Sequence, residues 1–165
     1  MRMGFIGLST LFAAAALYFA ATSRALSIPD SHHYVRFYAK GTPHFIKIKG
    51  EAENDFCTGV VNNGKGKVEC RLNALKTGIG LRDKHMLKYL DAETYPKVSL
   101  EFMAEGEKFR GILKLKGIKK EIAGEYQASP LELRFTLNIE DFNIEPPSYL
   151  GIGIKPEVRI VAGLE

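Results

Sequence analysis

The chain is poor in the residues from which catalytic and metal centres are usually assembled, with two cysteines, four histidines and no tryptophan in 165 residues. It contains no Gly-x-Ser-x-Gly elbow, no metal-ligand spacing and no phosphate-binding glycine loop. His32-His33 and His44 form no metal pattern, because adjacent histidines on a strand face opposite ways. A concentrated basic face with interleaved aromatics is also missing. The densest basic run, Lys108, Arg110, Lys114, Lys116, Lys119 and Lys120, flanks a turn and reads as a solvated hairpin that resists edge pairing. These absences argue against a nucleic-acid partner and leave no metal or cofactor to expect. Without strand-helix-strand alternation, a parallel α/β sheet is excluded as well.

What is present begins with an export signal. Met1-Arg2-Met3 is a short positive start, Phe5 through Ala21 is apolar apart from Ser9 and Thr10, and Ser23-Arg24-Ala25 supplies small residues at the cleavage-reading positions. The layout is that of a secretory signal peptide over residues 1–25, followed by one domain over residues 26–165. The competing reading is an uncleaved anchor, since the apolar run is close to the ~17-residue lower limit of a spanning helix. No cysteine near residue 25 could carry a lipid. Cleavage would remove Arg2 and Arg24 from the 23 basic residues and none of the 19 acids, lowering the net charge from +4 to +2.

The remainder reads as short alternating strands. His32–Ala39 and His44–Lys49 flank a turn at Gly41-Thr42-Pro43, and the polar run from Gly50 to Asp55 reads as a bend. Phe56–Val61 and Lys65–Leu72 flank Asn62-Asn63-Gly64, a strong hairpin signal because Asn and Gly both tolerate positive φ. Centring the turn on Asn63 and Gly64 places Cys57 opposite Cys70 at a non-hydrogen-bonded position. Cα atoms there lie ~4.5 Å apart, within reach of a disulfide. Export into an oxidising compartment then predicts a Cys57–Cys70 bridge. The alternative is a pair of small buried thiols on a core face with Val68 and Leu72.

Farther on, Val98, Leu100 and Phe102 alternate with Ser99 and Glu101, and Leu113 and Leu115 alternate with Lys114 and Lys116. Gly117-Ile118-Lys119-Lys120 reads as the next turn and Ile122–Tyr126 as the return strand. Leu133, Phe135, Leu137 and Ile139 alternate with polar neighbours without an error, as in a half-buried antiparallel strand. A Gly/Pro-rich loop from Glu145 to Pro156 precedes a closing strand at Val158–Ala162.

One stretch breaks the β pattern. Between Thr77 and Pro96 lie the glycines 78 and 80, the Arg82-Asp83 pair, His85, a helix-period apolar set at Met86, Leu87 and Leu90, and Tyr95-Pro96. Asp83 suits the positive end of a helix dipole, and Arg82 can pair with Asp83 or with a later carboxylate. Tyr95 precedes proline and is therefore held extended. In an all-β chain this short helix is expected to plug one end of a barrel. Thr77-Gly78, Arg82-Asp83, His85 and Tyr95-Pro96 follow the order of a signature of the YceI-like family, and the chain resembles those periplasmic lipid-binding barrels of lipocalin-like shape. Leu115-Lys116-Gly117 and Asp141-Phe142-Asn143-Ile144 are similar to family segments too. Asn143 stands where glycine is usual there, a tolerable change because Asn also accepts unusual backbone angles. The Glu145–Pro156 loop is shorter than expected for the family.

The expected fold is therefore all-β, a lipocalin-like antiparallel β-barrel, closed or nearly closed, with one short helical segment closing an end. Its inward candidates are Val68, Leu72, Met86, Leu90, Leu100, Phe102, Leu113, Leu115, Leu133, Phe135 and Leu137, all apolar. An eight-stranded barrel is about the size at which the interior is either packed or holds one small ligand. If it is hollow, its occupant is a long hydrocarbon, since each buried methylene contributes ~0.8 kcal/mol without any polar contact. The resemblance implies the same: an isoprenoid or fatty-acyl chain along the barrel axis.

Together these readings describe an exported, periplasmic lipid-binding protein rather than an enzyme. Its partner is a hydrophobic lipid, with room for transient contact with a membrane surface and for a homodimer. Thr77, Arg82, Asp83, His85, Tyr95 and Pro96 then act structurally, with Arg82 and Asp83 hydrogen-bonding the helix over the barrel mouth. Two other classes remain. One is a packed-core interaction module that docks a membrane or protein through the basic hairpin at Lys114–Lys120. The other is an enzyme with His85 as base and Asp83 as its orienter, against which stands the tendency of close neighbours on a helix to point apart.

Overall fold

The computed structural model describes residues 26–27, 32–42, 46–149 and 152–164. The expected leader over residues 1–25, and Pro43 and His44, lie outside them. Period-two alternation dictates strands wherever it occurs. In chain order they are β1 (Leu26–Ser27), β2 (His33–Thr42), β3 (Lys47–Glu53), β4 (Cys57–Asn62) and β5 (Lys65–Arg71). After the helix α1 (Gly80–Tyr89) come β6 (Lys97–Glu105), β7 (Lys108–Leu115), β8 (Ile118–Ala128), β9 (Leu131–Asn138), β10 (Ser148–Tyr149) and β11 (Ile152–Leu164). All belong to one eleven-stranded sheet in the order β1-β4-β5-β6-β7-β8-β9-β11-β2-β3, with β10 on β11.

From β4 to β9 each strand pairs with its sequence neighbour. The chain's last strand, β11, then joins β9 to β2, and this non-local pairing curls the meander into a lipocalin-like antiparallel barrel. The ladder does not run all the way round, because among the described residues β3 pairs with neither β1 nor β4. The seam is bridged instead by the chain leaving β5, where Glu51 and Lys76 exchange backbone hydrogen bonds of 2.8 and 2.9 Å.

Register follows the turns. Asn63 and Gly64 both have positive φ, at 48° and 72°, and Asn62 lies opposite Lys65. Cys57 consequently faces Cys70 and is bonded to it, with the Cα atoms 4.0 Å apart. Several expected boundaries move. Gly41 and Thr42, expected in a turn after Ala39, instead end β2, where they pair with Ile154 and Gly153 of β11. The polar run after Gly50 continues β3 to Glu53 instead of bending, because Glu51 and Glu53 face outward and pair with Arg36 at 3.7 and 3.2 Å. The β7–β8 turn is Lys116-Gly117 alone, with φ of 50° and 76°, so Ile118, Lys119 and Lys120 belong to β8. The last strand begins at Ile152, and Pro156, which has no N–H to donate, lies where the β11–β2 register shifts between Ile154 and Val158.

The inner face owes its shape to glycines opposite aromatics. Phe102 lies between Gly66 and Gly111 across the ladder, and Gly124 lies between Phe109 and Phe135. A Cβ on Gly66 would come within 2.2 Å of the Phe102 ring, so the ring lies across its neighbouring strand rather than upright in the lumen. Phe102, Phe109 and Phe135 meet edge to face at 5.9 and 5.8 Å. This cluster fills the end of the barrel that carries the β6–β7 turn, and α1 lies at the other end.

Candidate ligand-binding cavity

Because side chains at alternate strand positions share a face, the inward residues of β5, β6, β7 and β9 surround one lumen. Its volume is ≈ 910 Å³, within the usual ~300–1,000 Å³ of small-molecule sites. Val68 on β5, Leu100 and Phe102 on β6, Leu113 and Leu115 on β7, and Leu133, Phe135 and Leu137 on β9 all line it. Leu72 after β5, Met86 of α1 and Leu90 just after α1 complete that set of inward candidates. The wall also includes Val35, Phe37 and Ala39 of β2, Ile48 of β3 and Val158 and Ile160 of β11, which sequence reasoning missed. Their alternation is present in the sequence. It is blurred on β2 by the outward Tyr38, whose ring lies 4.6 Å beneath the Arg159 guanidinium.

The interior is not uniformly packed. Leu113, Leu133 and Phe135 are buried, whereas Val68, Leu100 and Ile160 face inward yet retain accessible surface. In a close-packed core that surface would be lost. No residue of α1 is fully buried, so the expected plug is instead a lid laid across an open lumen. Ile79 and Leu81, which also line the cavity, are 54% and 66% exposed at the lid's leading edge.

The segment before α1 is held by two neighbouring helix residues, Asp83 and Arg82. The Asp83 carboxylate accepts hydrogen bonds from the Thr77 backbone N–H at 2.7 Å and from the Thr77 hydroxyl. Arg82 donates from Nη2 to the Thr77 carbonyl at 2.8 Å, rather than to the carboxylate partner expected for it, and its buried Nε has no acceptor among the described residues. With its carboxylate committed to Thr77, Asp83 does not orient His85, which lies on the cavity side. At the far end of the segment, the Pro96 carbonyl accepts from Leu72 N at 2.9 Å, and the Tyr95 ring covers Gly117, where a Cβ would approach it to 2.8 Å. The lid is thus tied to the exit of β5 and to the β7–β8 turn. Among the described residues no group of His, Cys, Asp and Glu is arranged to hold a metal ion.

The hydrogen bond from the Thr77 hydroxyl, and then that from its N–H, hold Asp83 below the usual carboxylate range. A depressed folded-state pKa stabilises the fold above the unfolded value, 3.8, and the contribution is lost as pH falls through the folded pKa. Asp83→Asn should therefore melt below wild type at pH 7, with the difference shrinking below about pH 4 and vanishing at lower pH. Thermal melts from pH 7 downward measure this. A gap that does not change with pH would remove the Thr77 contact as its source.

Comparison with known proteins places this geometry. A family model described as the YceI-like domain matches residues 27–165. No curated protein matches the chain. Among solved structures, a polyisoprenoid-binding domain from Saccharophagus degradans, implicated in plant cell wall breakdown, is similar over 86% of this chain and 97% of its own, at 17% identity and a TM-score of 0.64. BcnA from Burkholderia cenocepacia is similar over 80% of this chain and 94% of its own, at 15% identity and a TM-score of 0.63.

Proposed function

The chain belongs to the YceI-like domain family, and from that premise we propose that it is an exported lipid-binding protein that holds an isoprenoid or fatty-acyl chain inside its barrel. The observation that carries this reading is the lumen: ≈ 910 Å³ walled by Val, Leu, Ile and Phe on the strands, with Thr77, Arg82 and His85 grouped on the lid side. Such a wall is mainly apolar, and a hydrocarbon needs no polar contact from it. Ten buried methylenes at ~0.8 kcal/mol each represent ~8 kcal/mol of transfer free energy, enough for useful affinity after the costs of association. Export is supported by the leader-like residues 1–25 and by the Cys57–Cys70 disulfide, a bond that persists in oxidising compartments. The polyisoprenoid-binding domain of Saccharophagus degradans shares the fold and makes an isoprenoid the first cargo to test.

Native mass spectrometry of the domain purified from its exported fraction, followed by organic extraction, tests the proposal. The expected result is a stoichiometric adduct that releases an isoprenoid or fatty-acyl mass. A protein that stays apo after incubation with polyprenyl and acyl lipids would overturn it and favour docking through the basic β7–β8 hairpin.

A further inference from the structure

His85 and Tyr89 stand one helical turn apart on α1 and therefore share a face. Both line the lumen, and both also line a second cavity of ≈ 490 Å³ on the outer side of the lid, whose other walls are Lys88, Lys116, Asn143 and Glu145. Two lysines from unrelated elements line this second space. Lys88 comes from the last turn of α1. Lys116 comes from the β7–β8 turn, where its positive φ and a 2.8 Å hydrogen bond from Nζ to the Asn143 carbonyl fix its direction. Among the described residues neither lysine forms an ion pair.

An amphipathic molecule whose tail fills the lumen cannot bury its polar end there, because an unpartnered polar group in an apolar wall is costly. The polar end must leave at the lid, where Thr77, Arg82 and His85 interrupt the apolar wall, and there His85 and Tyr89 are shared with the lysine-bearing cavity. We propose that the bound lipid carries an anionic head group, a carboxylate or a phosphate, held outside the lid by Lys88 and Lys116, with His85 and Tyr89 at the waist between head and tail. This rests on the lipid-binding reading above. Opposing it are Glu145 and the negative end of the α1 dipole, so the preference is the surplus of two cations over these terms.

Affinities of farnesol, farnesyl phosphate and farnesoic acid for the mature domain test the assignment, since all three share one tail. At low salt either anion should bind about fivefold tighter than the alcohol, the upper end of what one exposed charge pair contributes. The advantage should shrink as salt is raised. The Lys88→Gln/Lys116→Gln double variant should lose that advantage and keep the alcohol affinity, whereas Lys120→Gln, away from the pocket, should change neither. Equal affinity for alcohol and anions would overturn the head-group assignment and leave the lumen reading intact. An anion preference that survives in the double variant would overturn it too. So would inorganic phosphate binding at the lysines with no preference among the lipids, which would make this a free-anion site. Failure of all three ligands to bind would instead overturn the lipid-binding reading itself.

Discussion

Leu100→Trp should empty the barrel, weakening lipid binding by about 100-fold while the domain stays folded. Leu100 lies on β6 between Val68 and Leu113. It faces the lumen and retains accessible surface, so the added atoms of an indole enter empty space rather than a packed neighbour. The cost of overpacking a core, typically about 1–3 kcal/mol, is therefore largely avoided. The ligand loses instead: displacing three or four methylenes at ~0.8 kcal/mol each removes ~3 kcal/mol of binding, or roughly 100-fold. Titration with a fluorescent fatty acid, together with thermal melts of the same sample, separates the two effects. Leu113→Trp makes the contrast, because Leu113 is only 4% exposed and its replacement should show as lost stability. If Leu100→Trp binds lipid like the wild type, the ligand does not occupy this part of the lumen.

Loss of the Cys57–Cys70 bond should cost about 3 kcal/mol of stability. The bond closes a short loop, with a sequence separation of 13, and the chain-entropy model assigns about that much to a loop of this size. For a domain of this length the melting temperature should fall on the order of 10 °C. The effect should concentrate at the barrel seam. There β4 is held by β5 on one side and by only the two residues of β1 on the other, and Cys57 N donates to His33 Nε2 at 3.2 Å across to β2. Because both cysteines line the lumen, lipid affinity should fall with stability. Melts with and without reductant, and of Cys57→Ala/Cys70→Ala, measure the loss. An unchanged melting temperature would show that the hairpin register holds the seam without the bond.

Much of the barrel was legible because strand side-chain direction and tight-turn register are local properties. The error-free alternation from Leu133 to Ile139 placed its apolar residues inside, and Asn63-Gly64 allowed the cysteine pairing to be found by counting. Boundaries were less legible where a neighbouring strand overrides composition. Lys119 and Lys120 look like turn residues, yet they pair with Lys114 and Leu113 on β7. Glu51 and Glu53 look like a polar bend, yet Arg36 on β2 holds them on the outer face. The Thr77–Asp83 contact was hidden for a related reason. The spacing showed a helix start, but only the loop geometry turns the Thr77 N–H and hydroxyl towards the carboxylate.

The sequence by itself determined which side chains point inward and that they are apolar, since both follow from local backbone geometry and residue identity. Tertiary structure alone decided that the interior is hollow, that α1 lies across it as a lid, and that Lys88 and Lys116 share a pocket. The width of a lumen depends on how far strands distant in sequence are held apart. Here that spacing is set by β11 joining β9 to β2 and by rings lying over glycines on neighbouring strands.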